Sequence, residues 1–249
     1  MKTETMTTVI LSGGNGTRLK PLTEHMQKTM VEINQKPLLW YHIQQLKSHG
    51  INDVWVALHK FPETVINYFE DGSKYNININ YSIEKSPLGT AGSLKNPNSE
   101  IEKHLRRGRF LEVYGDNLTN FNYRALQKFH MSKKSFLTVG LYQSTEPWTG
   151  GVIETQHGRI KSVVEKPPKE QIMTNTISAG VMICEPELLS YIPEDTSSDF
   201  GFDILPKLLN VGKPLFALDT GSYVQDCGTI ERLKKARRDY ARKNVRFDF

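Results

Sequence analysis

The apolar run at residues 8–12 (TVILS) passes without a break into Ser12-Gly13-Gly14-Asn15-Gly16-Thr17-Arg18. A buried strand that ends in three glycines can turn tightly, bring its backbone close to a ligand and aim N–H groups at an anion. The chain must therefore be built as a strand that delivers a loop, with the rest of the fold supporting it. The same alternation continues. A helix is predicted over 37–49, opened by Pro37 and closed by Gly50. DVWVAL (53–58) reads as a strand, PETVINYFE (62–70) as a helix, and NININYSI as a strand followed by the glycine-containing turn SPLGTAGS. FLEVY (110–114) is a strand that stops at GDN, and a helix over 123–133 leads to the strand FLTVGLY (136–142). This order predicts an α/β fold: a three-layer α/β/α, Rossmann-like arrangement with a mostly parallel mixed sheet and its ligand at the carboxyl ends of the strands.

The second part changes texture. GGVIETQHGRIKSVVEK is a pair of β segments around a His157-Gly158 turn, and TISAGVMICEP is a further strand, which together predict a small antiparallel β extension. DILPKLLN reads as helical and PLFALDT as a strand. TIERLKKARRDYARK has the spacing of an amphipathic terminal helix with a charged wet face, capped by Thr229, rather than of a nucleic-acid-binding segment. With no repeat or polar linker in view, one domain is expected over 1–249: a nucleotide-binding lobe to about 145, a second lobe over 146–228, and a helix and tail over 229–249.

The formal charge of +5 suits an anionic partner without naming one. Cys184 and Cys227 stand in no metal-ligand or redox spacing, which points to a reducing, cytoplasmic setting. MKTETMTTVIL lacks the apolar stretch of a signal peptide, and no run of 18 apolar residues occurs, so neither secretion by a standard signal nor membrane insertion is expected.

The glycine loop fits neither familiar nucleotide fingerprint. A P-loop needs G-x-x-x-x-G-K-[ST], and a dinucleotide site needs a third glycine where this chain has Leu19. Arg18 adds a forked cation able to grip a di- or triphosphate. Asp116, preceded by Gly115 at the end of a central strand, would project into the crevice, and Asp226 lies in a tight glycine-bearing turn. Two hard carboxylates suit magnesium, which takes its remaining ligands from phosphates and water.

LSGGNGTRLKPLT, the segment QKTMVEINQKPLL that carries Lys28, and then SPLGTAG, YGDN, VEKP and QDCGT follow one another from Val9 to the terminal helix. In that order they resemble the sugar-1-phosphate nucleotidyltransferase family, in particular mannose-1-phosphate guanylyltransferase-like members without a carboxyl-terminal repeat domain. The resemblance implies Mg²⁺-dependent transfer of a nucleoside monophosphate from an NTP to a sugar-1-phosphate with release of pyrophosphate, by a homodimer or homotetramer. It implies that Arg18 and Lys28 hold the triphosphate, that Asp116 and Asp226 bind Mg²⁺, and that Lys166 binds the sugar phosphate. Glu165, Asn117, Gly150 and Ser178 would face the sugar. Leu11, Gly13, Gly14, Gly16, Thr17, Glu84, Gly89 and Thr90 would surround the nucleotide. Asp203, ahead of the ILPKLL helix, either supports the sugar pocket or caps that helix.

LGTAG favours GTP by its similarity to guanylyltransferases. The alternatives are a uridylyl- or thymidylyltransferase acting on a hexose-1-phosphate, and a cytidylyl-type enzyme acting on a non-sugar phosphate. Several positions depart from the pattern. Thr149 stands where an aromatic is usual, Ser178 where an asparagine is common, and Gln27 and Thr29 where prolines usually flank the lysine. Without those prolines the lysine segment is expected to be more mobile. The sugar phosphate brings its own nucleophilic oxygen, so His25, His42 and His130 are read as surface or interface residues.

Overall fold

The computed structural model describes residues 6–194, 196–247 and 249. The first half runs β1 (Thr7–Ser12), the short strands β2 (Glu32–Ile33) and β3 (Lys36–Pro37), α1 (Leu38–Ser48), β4 (Asp53–Leu58) and α2 (Pro62–Phe69). It continues with β5 (Asn78–Ile83), the one-turn α3 (Gly89–Gly92), α4 (Ile101–Leu105), β6 (Phe110–Tyr114), β7 (Asn117–Thr119) and α5 (Tyr123–Lys133). The second half comprises β8 (Leu137–Gln143), β9 (Gly151–Gln156), β10 (Arg159–Glu165), β11 (Thr176–Cys184), α6 (Leu205–Asn210), β12 (Leu215–Asp219), β13 (Val224–Asp226) and α7 (Ile230–Ala241).

Nine strands form one sheet in the order β5-β4-β1-β6-β11-β8-β12-β10-β9. β5, β4, β1 and β6 are parallel, and the apolar runs of β4 and β1 suit strands covered on both faces. β11 runs antiparallel between β6 and β8, so a strand from the second half sits at the centre of the sheet and the two halves share it. Strand alternation sends Val9 and Phe110 to one core and Ile10, Leu111 and Val113 to the other. A third cluster docks α7 through Leu233 and Ala236 onto Leu19, Tyr41 and Leu118, beside the glycine loop. α7 starts at the predicted cap, where the Arg232 N–H donates to Thr229 Oγ1. Among the described residues no helix is long and apolar enough to cross a membrane.

Three expectations need correction. The segment SPLGTAGS is not only a turn, because its glycines open the short α3. His42 and His130 are buried rather than on the surface, at 2% and 1% exposure. His130 lies between Thr138 Oγ1 (2.8 Å) and Glu185 Oε1 (3.0 Å), and His42 packs under the loop that follows β6, against the backbone of Gly115 and Asn117. Burial pushes the His42 imidazole down to about 4, so it is neutral.

Glu112, in the middle of β6, is wholly buried and neither of its oxygens has a hydrogen-bond partner. Burial, with Asp199 adding to it, holds its pKa well above the ordinary carboxylate value. An unfolded chain releases this proton at about pH 4.3. The native chain retains it, so this group makes the protein less stable as pH rises above that point. Glu112→Leu is therefore expected to stabilise the fold at neutral pH by about 1–3 kcal/mol. The gain should shrink toward pH 4, which thermal melts of both chains at the two pH values would check.

Candidate active site

The site begins where β1 hands over to the glycine loop. Gly16 has a left-handed φ of 65°, which a residue with a side chain rarely adopts, and its carbonyl accepts from Thr23 Oγ1 at 2.7 Å. Gly14 leaves room for the lysine: a Cβ placed there would come within 2.6 Å of Lys28 Nζ. The lysine lies over Gly14 and reaches Asp116, with Nζ 2.6 Å from Oδ2. Burial works against the charged form of Asp116, but the Lys28 ammonium outweighs it and the carboxyl titrates below its usual value.

The Lys28 segment, which lacks the flanking prolines, is tied by side-chain hydrogen bonds of Gln27. Gln27 is buried; its Nε2 donates to the Ser12 carbonyl, and its Oε1 accepts from the Thr29 N–H (2.5 Å) and Thr29 Oγ1 (2.8 Å). A side-chain amide thus supplies the restraint that a proline ring supplies by fixing φ. Gln27→Ala is expected to cost about 1–3 kcal/mol of stability. Through misplacement of Lys28 it should lower turnover about tenfold. Melting curves and steady-state rates on one preparation would check both.

β7 and β13, each too short to show a period in sequence, pair antiparallel and set Asn117 opposite Asp226. The Cys227 N–H donates to the Asp116 carbonyl at 2.8 Å, which ties the two acidic loops together. Asp226 Oδ1 accepts from the Gly228 N–H at 2.5 Å, and its Oδ2 pairs with Arg232 of α7. Arg232 also reaches Glu146 at 3.2 Å.

A cavity of about 1120 Å³ opens in front of these groups. Of the residues singled out in the sequence, Arg18, Thr90, Asp116, Asn117, Gly150, Glu165, Lys166, Ser178 and Asp226 line it, and Lys28 joins it through Asp116. Lys166 closes β10 with a left-handed φ of 48°, a conformation that a non-glycine residue adopts at a cost and that is common at functional positions. Its ammonium lies 3.5 Å from Glu165, whose pKa is raised by burial. Across the cavity, β11 breaks register between Ser178 and Met182. There Gly180 (φ 65°) lets the Tyr114 ring and the Asn117 amide approach the strand; Asn117 Nδ2 donates to the Ala179 carbonyl at 3.0 Å.

Other expected residues do not line this cavity. Leu11 is buried in the sheet core. Glu84 is buried and its oxygens accept from the Leu88 N–H (3.0 Å) and Ser93 Oγ (2.6 Å), so it braces the segment carrying Gly89 and Thr90. Gly13 packs against Glu84, and Gly89 against the Ser198 carbonyl. Gly14, Gly16 and Thr17 form the loop beside Lys28. Asp203 lies outside the cavity lining and reaches back to accept from the Asp199 N–H at 2.7 Å, while Asp199 caps the wide turn before α6 by accepting from the Gly201 and Phe202 N–H groups. Asp199 itself lines the cavity and accepts from Thr90 Oγ1 at 2.8 Å. Sequence reasoning missed Asp199, Glu146 and Arg232. Arg232 had a signal, since it sits in the first helical turn after the Thr229 cap.

Among the described residues no cluster of three or more His, Cys, Asp or Glu side chains is placed to hold a metal ion. Asp116 and Asp226 nevertheless fit magnesium, because two hard carboxylates suffice when phosphate oxygens and water complete an octahedron.

An α/β sheet that delivers a glycine loop, two arginines and a lysine to paired carboxylates offers the donors that a phosphate chain and a hard cation would need. The chain belongs to the nucleotidyl transferase family, which it matches over residues 7–243. It is 30% identical over 239 residues to a UTP–glucose-1-phosphate uridylyltransferase of Synechocystis sp., covering 90% of this chain and 61% of that protein. It is 33% identical over 226 residues to mannose-1-phosphate guanyltransferase 2 of Candida glabrata, covering 88% and 60%. The chain thus spans about three-fifths of the length of these relatives. Among solved structures, HddC from Yersinia pseudotuberculosis, complexed with GMP-PN, superposes with a TM-score of 0.78 at 27% identity over 94% of this chain and 99% of that one. A putative glucose-1-phosphate thymidylyltransferase from Bacillus anthracis reaches a TM-score of 0.86 over 98% of both chains; at 23% identity this is a likeness of fold.

Proposed function

We propose that this protein transfers a nucleoside monophosphate from an NTP to a sugar-1-phosphate and releases pyrophosphate. The observation that carries this reading is one cavity lined by Arg18, Asp116, Asp226, Glu165 and Lys166, with Lys28 paired to Asp116. The names of the relatives support it, since they transfer uridylyl or guanylyl groups to sugar-1-phosphates.

Such a transfer builds charge on the nonbridging oxygens of the α-phosphate and asks for positioned cations rather than a protein nucleophile. Arg18 grips the triphosphate. Lys28, released from Asp116 when substrate enters, offsets charge at the α-phosphate. Lys166 holds the phosphate of the acceptor in line with it, and Glu165, Asn117 and Ser178 accept or donate at sugar hydroxyls. Gly14, Gly16 and Thr17 surround the phosphates, and Gly89 and Thr90 approach the base. Asp116 and Asp226 would hold Mg²⁺, which when bound neutralises the triphosphate and orients the α-phosphate.

GTP is the favoured donor, in keeping with the guanyltransferase relatives and with the GMP-PN bound to HddC. Pyrophosphate release measured across GTP, UTP, dTTP, CTP and ATP, each paired with mannose-, glucose-, N-acetylglucosamine- and heptose-1-phosphates, tests the reading. Release with one pair and magnesium names both substrates, and silence across the whole matrix from folded protein sinks the proposal. A homodimer or homotetramer in a cytoplasmic setting completes the reading. The free, buried Cys184 and Cys227 suit a reducing compartment, and light scattering on the purified chain would measure the assembly.

A further inference from the structure

Asp116, in the turn between β6 and β7, and Asp226, at the end of β13, line the same cavity, and each already has a cation from the chain itself. Lys28 neutralises Asp116. Arg232 neutralises Asp226 through Nη1 while its Nη2 lies 3.2 Å from Glu146 Oε2. The second pair is no loose surface contact. The Arg232 side chain is 22% exposed, its backbone N–H is fixed by the Thr229 cap, and it lines the cavity. Arg18 closes in from the other side of Asp226: a Cβ on Gly228 would sit 2.8 Å from Asp226 Oδ1 and 3.2 Å from Arg18 Nη2.

Resting on the proposal that Asp226 is a metal ligand, this geometry sets up a competition. A guanidinium and a divalent cation cannot both sit against Asp226 Oδ2, because like charges a few ångströms apart repel strongly at the edge of a protein. When the carboxylate turns to a metal, Arg232 must give it up. The acceptors left to it are Glu146 at the rim and whatever anion fills the cavity, and a planar fork matches phosphate oxygens better than a point charge does.

We propose that Arg232 is a counter-ion to Asp226 that is displaced as a divalent cation binds, and that it then takes a phosphate oxygen of the nucleotide or pyrophosphate. The exchange keeps the two aspartates from repelling each other before substrate arrives. It also couples cation and phosphate binding, since each makes room for the other.

Manganese serves as a spectroscopic substitute for magnesium, with the free ion followed by electron paramagnetic resonance, and inorganic pyrophosphate serves as the phosphate probe in calorimetry. Arg232→Gln is expected to bind Mn²⁺ alone about tenfold more tightly than the wild-type chain, because the competitor is gone. At saturating Mn²⁺ it should bind pyrophosphate about tenfold more weakly, because the fork is gone. Arg232→Lys keeps the charge and the helix contact, and provides the test if the glutamine variant fails to fold. Its pyrophosphate affinity should fall about threefold with little change in Mn²⁺ affinity. Asp226→Asn separates the two readings. If it loses Mn²⁺ binding while Arg232→Gln leaves Mn²⁺ affinity unchanged or weaker, the counter-ion role is overturned and the metal reading stands. If Asp226→Asn binds Mn²⁺ as well as the wild-type chain does, both fall. Unchanged pyrophosphate affinity in both Arg232 variants also overturns the proposal.

Discussion

With Lys28 replaced by methionine, pyrophosphate release at saturating substrate is expected to slow about 10²–10³-fold, the usual cost of removing one preorganised donor from developing charge. Methionine has nearly the length and flexibility of the lysine stem, so it fills the groove over Gly14 and leaves the loop in place. What is lost is the ammonium 2.6 Å from Asp116 Oδ2. The side chains of the pair are only 15% and 24% exposed, so leaving Asp116 without its partner should lower stability by about 3 kcal/mol. The dependence on divalent cation should persist, because both aspartates remain. Stopped-assay kinetics with a magnesium titration would measure all of this. A variant that keeps its rate within a few-fold would reduce Lys28 to a tether for Asp116.

Asp116→Asn is expected to produce the complementary result. The amide keeps the shape of the carboxylate but gives up its charge, so a divalent cation loses a hard anionic ligand and Lys28 loses its partner. Turnover should drop about 10³-fold, since several kcal/mol of charge stabilisation depend on that ligand. The magnesium concentration for half-maximal rate should rise at least about tenfold. The discriminating signature is this shift in metal dependence, which Lys28→Met lacks. If Asp116→Asn merely slows the reaction at unchanged half-saturating magnesium, the carboxylate positions Lys28 and the metal reading of Asp116 is lost.

How much of this was visible in the chain can be judged residue by residue. Arg18 follows a strand-ending glycine loop, Asp116 follows a strong strand, and Asp226 and Lys166 lie in short ordered motifs, so local chemistry and order singled them out. Gln27 read only as an absent proline, and nothing local showed that its side-chain amide reaches the Ser12 carbonyl fifteen residues away. Asp203 was chosen near the right place, but in the wide turn before α6 its carboxylate accepts from the Asp199 N–H, while Asp199 caps the turn and lines the cavity, bonded by Thr90 from 109 residues earlier. The histidines misled for a related reason. His42 and His130 lie on helices with mixed polar faces, and only the packing of those helices against the sheet decides that both imidazoles are buried.

By itself the sequence determined the alternation of strands and helices, the loops that end them, and the kinds of charge those loops carry. These follow from periodicity, from the conformational freedom of glycine and from the few residue types able to meet a phosphate or a hard cation. Only the tertiary structure decided that β11 enters antiparallel at the centre of the sheet, that β7 pairs with β13 to bring Asp116 beside Asp226, and that Arg232 from the last helix closes on that pair. Strand order and side-chain neighbours depend on which surfaces bury one another across a hundred residues or more, and no local spacing encodes that choice.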